Sequence, residues 1–165
     1  MPMIDPIVQE LEYETKATRA MLERIPENQW GWKPHEKSMT MAALASHIAE
    51  MFCWASVIVE MDVFELKMDE YTPFMAESKA QLLEAFDKNV AGCIERLKSV
   101  PDDALMVNWQ MVMDGKALME MPRVAVIKSM QNNHLIHHRA QLGLYLRLND
   151  VPVPPVYGPS ADEEG

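Results

Sequence analysis

Apolar residues recur at three- and four-residue spacing through four long stretches of this chain, and that periodicity restricts the fold more than any other feature. The first stretch runs from about Asp5 to Ile25, with Ile7, Val8, Leu11, Thr15, Thr18, Leu22 and Ile25 in phase, and Pro26 ends it. The second follows a Ser38 or Thr40 cap and reaches about Met61 through Met41, Leu44, Ile48, Met51, Ala55 and Ile58. The third, from Ala76 to Val100, is carried by Leu82, Leu83, Phe86, Val90, Cys93, Ile94 and Leu97, and it halts before Pro101. The fourth starts after Pro122 and continues to about Leu148 through Val126, Ile127, Met130, His134, Leu135, His138, Leu142 and Tyr145. Each is roughly 20 residues or more, about 30 Å of helix, a usual length for a rod of a bundle. The expected fold class is therefore all-α, a four-helix bundle.

The segment between the third and fourth stretches, NWQMVMDGKALMEM, alternates partly between apolar and polar residues, and Asp114-Gly115 is a good type I′ turn pair. A short β-hairpin is expected there, with a loop or further helix pair as the alternative. From about residue 150 the proline-rich tail NDVPVPPVYGPSADEEG reads as extended. At 165 residues the chain suits one domain, 1–165, with a substantial core. In the second helix MFCWASVIVEM is apolar nearly all round, where a surface helix would keep one wet face. A homodimer would bury the second side; cover by the hairpin and tail is the alternative.

Charge narrows the partners. A net charge of −10, with fifteen scattered basic residues, opposes nucleic-acid binding, which relies on clustered Lys and Arg. The opening MPMIDPIVQE lacks a basic region leading into an apolar one, so no secretory signal is expected. The longest apolar run, Met51 to Val59, falls short of the about 20 residues a bilayer requires. Neither nucleic acid nor membrane is an expected partner, and the expected location is the cytoplasm. Cys53 and Cys93 form no C-x-x-C pair and read as small buried hydrophobes in a reducing compartment.

Chemistry concentrates in the histidines. His134 and His138 stand four apart and share a helix face, so both rings can point inward together. Buried imidazoles need partners, since each unsatisfied polar group costs roughly 1–3 kcal/mol, and a divalent cation removes that penalty. His47, alone on the border of the second stripe, could supply a third imidazole from a neighbouring helix, leaving an open position on the ion. Taken singly, His47 is more often a hydrogen-bonded core residue than a ligand. His137, three residues from His134, could replace His138, although His138 is better centred on the stripe with Met130, Gln141 and Tyr145. His35 lies in a polar loop and is expected to be solvated. No G-x-S-x-G, H-E-x-x-H or phosphate-cradling glycine loop competes, and Glu-x-x-His pairs for a di-iron site are missing.

Three segments together resemble the DinB-like family. They are IPENQWGWKPHEKSMTMAALASHIAEMF, NNHLIHHRAQLGLYLRLNDVPVP with H-x-x-x-H-R-x-Q at His134, His138, Arg139 and Gln141, and the closing VPVPPVYGPSADE. The resemblance implies an up-down-down-up bundle, usually homodimeric, with a divalent metal on His47, His134 and His138. The family includes small-thiol-dependent transferases, which makes a small-molecule thiol or electrophile a candidate partner. The expected function is that of a metal-dependent hydrolase or small-thiol-dependent transferase; the alternative is a non-catalytic metal-binding or structural homodimeric module. Imidazole donors favour zinc or nickel. No catalytic residue is assigned beyond the ligands, with Glu50, Tyr145 and Trp32 as candidate neighbours.

Overall fold

Proline and hydroxyl residues punctuate the helices. The computed structural model describes residues 1–164. Helix α1, Asp5–Glu23, carries Pro6 in its first turn, where a missing N–H costs nothing, and Asp5 there complements the helix dipole. Helix α2, Met41–Glu50, starts at Thr40, whose hydroxyl accepts from the Ala43 N–H at 3.1 Å. A tight 3₁₀ turn, Met51–Cys53, separates it from α3, Trp54–Glu60. The single helix expected from 41 to 61 is thus two. Strand β1, Val63–Glu65, follows, and then α4, Lys79–Lys98, whose Ser78 cap accepts from the Gln81 N–H at 3.2 Å.

After the short α5, Asp102–Leu105, strands β2, Asn108–Met113, and β3, Lys116–Pro122, form a hairpin. Asp114 and Gly115 both take positive φ, 50° and 71°, the pair of left-handed residues that a two-residue I′ turn demands. The chain then runs as one rod: α6, Arg123–Ile127, a π-helical turn, Lys128–Asn133, and α7, His134–Leu148.

The expectation of an all-α, up-down-down-up four-helix bundle needs correction. The fold is mixed, with a three-stranded sheet in the order β1-β2-β3, β1 parallel to β2 and β3 antiparallel to it. A lone hairpin is marginal in water, and a third strand makes the sheet sturdier. Val63 and Phe64 have the β-branched and aromatic character to supply one, and bonds from Gln110 N to Asp62 O (2.9 Å) and Leu66 N to Val112 O (2.7 Å) close the ladder. Trp109 and Met111 turn one sheet face into the core, where Met119 and Met121 join them.

Helices α1 and α2 each pack against both α4 and α7. Leu11, Leu22, Leu44, Ile48, Phe86, Leu97, Leu135 and Leu142 fill the space between them, and Phe52 meets Phe86 edge-on at 5.4 Å. Where the sheet joins the helices, the buried Arg123 guanidinium donates to the carbonyls of Ile58 (2.6 Å), Ala104 (2.7 Å) and Met61 (3.1 Å) and to the Asp62 carboxylate (2.6 Å). It satisfies carbonyls that the end of α3 leaves open.

Met41–Glu60 is long and apolar enough, by length and composition, to cross a bilayer, yet 56% of that span is buried inside the fold as a core element. Its outer side is partly covered: Trp54 packs edge-on against Phe64 of β1 at 5.2 Å, while Val57 and Val59 stay half-buried. Cys53 is a second correction. The 3₁₀ turn sends Phe52 inward and leaves Cys53 exposed, lining a groove of about 500 Å³ against α4. Cys93, opposite, is buried as expected; burial pushes its thiol up to about 12, and it donates to Gln131 Oε1 at 3.6 Å.

Candidate metal centre

Where α2 meets α7, three imidazoles converge. His47 comes from the last turn of α2, and His134 and His138 from successive turns of α7. Their ligand nitrogens all lie within 4.8 Å of one another. His138 Nε2 is 2.8 Å from His134 Nε2, and His47 Nε2 is 3.5 Å from His134 Nε2. Two nitrogens on a tetrahedral ion with bonds of about 2.0–2.1 Å would stand roughly 3.3 Å apart, so the gap is cation-sized. The rings of His47 and His138 cross almost at right angles, 89°, with centroids 4.6 Å apart, and do not stack. The three histidines singled out from the sequence therefore come together at one point.

His137 is not in that group. It is exposed, with its ring 4.8 Å from that of His138. His35 is also exposed, its Nδ1 accepting from the Lys37 N–H at 3.2 Å. The three suggested neighbours have partners of their own, and the Glu50 charge also acts on His47, opposing the effect of burial. Glu50 accepts from Tyr71 Oη (2.8 Å) and the Phe74 N–H (3.1 Å), pinning the segment before α4 to α2. Tyr145 donates to the Met39 carbonyl at 3.2 Å, and Trp32 packs edge-on against it at 5.4 Å.

The electrostatics suit neutral ligands. Half-burial holds all three rings below the ordinary histidine range. His134 moves furthest, to about 4: desolvation is the main cause, the charges of His138, His47 and His137 add to it, and a hydrogen bond to the Met130 carbonyl opposes it. Neutral imidazole is the form that binds metal. This clustering also has a consequence for the metal-free protein. His134 takes up its proton near pH 4 when folded but near 6.5 when unfolded, so the unfolded chain gains protons first on acidification. The resulting stability loss begins as pH falls through 6.5 and is complete near 4. Thermal unfolding of chelator-treated protein across that range should show it, and a His134→Gln variant should lose that part of the slope.

Sequence reasoning assigned no role to two further groups. Gln141, one turn past His138, places its side-chain oxygen 2.8 Å from His138 Nδ1; its three-residue spacing was a visible signal. On the opposite side of α7, buried Arg139 donates to the buried carboxylate of Glu14 from α1 and to its carbonyl at 3.2 Å. Tyr157 of the tail closes the network: its hydroxyl donates to Glu14 Oε1 and accepts from Arg139, each at 2.8 Å. Tyr13 stacks on Tyr157 with centroids 6.3 Å apart. The rod that presents two imidazoles is thereby clamped to α1 and to the tail.

The sequence profile of the DinB superfamily matches residues 10–142, a span that holds all three histidines. No curated protein sequence matches significantly. Among solved structures, a DinB-like protein from Bacillus subtilis (YjoA) superposes with a TM-score of 0.71 at 21% identity, covering 93% of this chain and 97% of its own. A DinB-like protein from Bacillus cereus ATCC 10987 gives a TM-score of 0.70 at 21% identity, covering 90% of this chain and 94% of its own. At that identity the likeness is one of fold.

Proposed function

We propose that this chain, which belongs to the DinB superfamily, is a divalent-metal protein that acts as a hydrolase or small-thiol-dependent transferase. One observation carries the reading: three half-buried imidazoles from two helices bring their ligand nitrogens within 4.8 Å. His47, His134 and His138 would hold the ion, and the nitrogen-only donor set favours zinc or nickel over harder cations. A divalent cation on three neutral ligands supplies Lewis acidity that activates a nucleophile, water or thiol, near neutral pH.

The protein's own residues prepare that chemistry. Half-burial keeps the imidazoles unprotonated at neutral pH, so no proton must leave before the ion enters. The clamp of Arg139, Glu14 and Tyr157 fixes the rotation of α7 about its axis, and with it the aim of both α7 ligands. Three protein donors leave a tetrahedral ion one position for an exogenous ligand.

Elemental analysis of protein from its native host should find one equivalent of zinc or nickel. The loaded protein should then turn over in a panel pairing low-molecular-weight thiols with alkyl and aryl electrophiles, or in a panel of small esters and amides. No bound metal under any loading condition would defeat the reading outright. Stoichiometric metal without turnover in either panel would defeat its catalytic half alone.

A further inference from the structure

Gln141 bridges two imidazoles with one amide. Its Oε1 lies 2.8 Å from His138 Nδ1, and its Nε2 lies 3.2 Å from His137 Nε2. The spacings are three and four residues, the two that bring side chains together on a helix, so the bridge needs no distortion of α7. Each end of an amide has a fixed role: the oxygen only accepts and the nitrogen only donates. At His138 the proton must then sit on Nδ1, which leaves the Nε2 lone pair aimed at the cluster. At His137 the Nε2 must accept, so its proton sits on Nδ1. An imidazole nitrogen can donate or accept, so both contacts fit either orientation of the amide, and only this one leaves the His138 Nε2 lone pair free for an ion. Reversing it would put the His138 proton on Nε2, the atom that lies 2.8 Å from His134 Nε2, and would remove the lone pair from the point where the three rings meet.

We propose that Gln141 is a positioning residue for the metal centre. It accepts from the His138 Nδ1–H when an ion takes the Nε2 lone pair and fixes the rotation of that ring, while exposed His137 holds the far end of the amide in place. The inference rests on the metal reading, because it is an ion at the meeting point that needs the His138 Nε2 lone pair; the tautomer is therefore read in the zinc-loaded protein. A partner that orients a ligand ring in this way usually matters about 10–100-fold in metal affinity. His137 thereby acquires a role at one remove from the ion, consistent with its exposure.

The test compares wild type with Gln141→Leu, Gln141→Glu and His137→Ala. Two quantities are read: the imidazole ¹⁵N shifts of the zinc-loaded proteins, which report which His138 nitrogen keeps its proton, and the zinc dissociation constant by competition with a chromophoric chelator. Wild type should show His138 protonated at Nδ1. Gln141→Leu should mix the tautomers and weaken zinc by about 10–100-fold, with little change in the melting temperature of the metal-free protein. Gln141→Glu keeps an acceptor at the same reach and should restore both signals, which a purely structural role would not do. His137→Ala should weaken zinc by less than Gln141→Leu. Finding His138 protonated at Nε2 in wild type would overturn the proposal, as would a Gln141→Leu variant with unchanged tautomer and affinity. Should Gln141→Leu not fold, Gln141→Glu and His137→Ala still decide it. Absence of zinc binding in wild type would overturn the functional reading and this one with it, whereas zinc binding that Gln141→Leu leaves unchanged would overturn this one alone.

Discussion

Replacing His47 with alanine is expected to abolish stoichiometric metal binding while leaving the helices intact. His47 is the only member of the cluster that comes from α2, so its loss leaves two imidazoles on adjacent turns of α7. Outer partners of metal ligands already cost about 10–100-fold in affinity, so a direct ligand should cost more than about 100-fold. The same experiment has a thermal signature. A ligand at 100 times its dissociation constant stabilises the folded state by about 2.7 kcal/mol, so zinc should raise the melting temperature of wild type and leave that of the variant unmoved. A variant that retains one equivalent of tightly bound zinc would show that these three rings are not the ligand set.

The second large effect lies away from the cluster. Arg139→Ala should destabilise the protein by about 3–5 kcal/mol, because it strands the Glu14 carboxylate in the interior. Both partners are almost fully buried, with side chains 3% and 5% exposed, so water cannot screen the loss. For a chain of this size that is a fall of roughly 10 °C in melting temperature. A Glu14→Leu/Arg139→Met double replacement removes both charges and should recover most of the loss, since apolar groups often substitute for a buried pair at little cost. Tyr157→Phe deletes only one member's hydroxyl and should cost about 1 kcal/mol. If the double variant were as unstable as Arg139→Ala, the burden would lie in packing and not in the stranded charge. Thermal or urea unfolding of the four proteins separates these cases.

Much of this architecture was legible in the sequence, and the exceptions share a physical cause. Pro26, Thr40, Pro101 and Pro122 mark helix ends because each acts through its immediate neighbours. The hairpin turn at Asp114-Gly115 is local in the same way. Strand β1 is not: three residues carry no periodicity, and they become a strand only because β2 lies alongside. The break at Met51–Cys53 was hidden because a segment apolar all round has no phase to interrupt, and the exposure of Cys53 went with it. At the candidate metal centre, spacing alone paired His134 with His138 or His137; in the fold it is His138 that comes together with His47 and His134, while His137 is exposed. The hydrogen-bond partners of Glu50 were not foreseen, because Tyr71 and Phe74 lie more than twenty residues away. No local pattern reports such a contact.

The π-helical turn at Lys128–Asn133 sits immediately ahead of His134. A wider turn holds one residue more than regular winding would need, and each residue of an α-helix turns the chain by about 100°. The segment therefore acts as a phase adjuster. Ahead of it the rod is set by Arg123 against the end of α3, and beyond it by Arg139 against α1. Shortening the turn by one residue would leave both ends compositionally sound yet swing them out of angular agreement, so that either the Arg123 anchor or the aim of the two imidazoles must give way. In this rod a single surplus residue reconciles two docking surfaces whose orientations regular winding could not satisfy together.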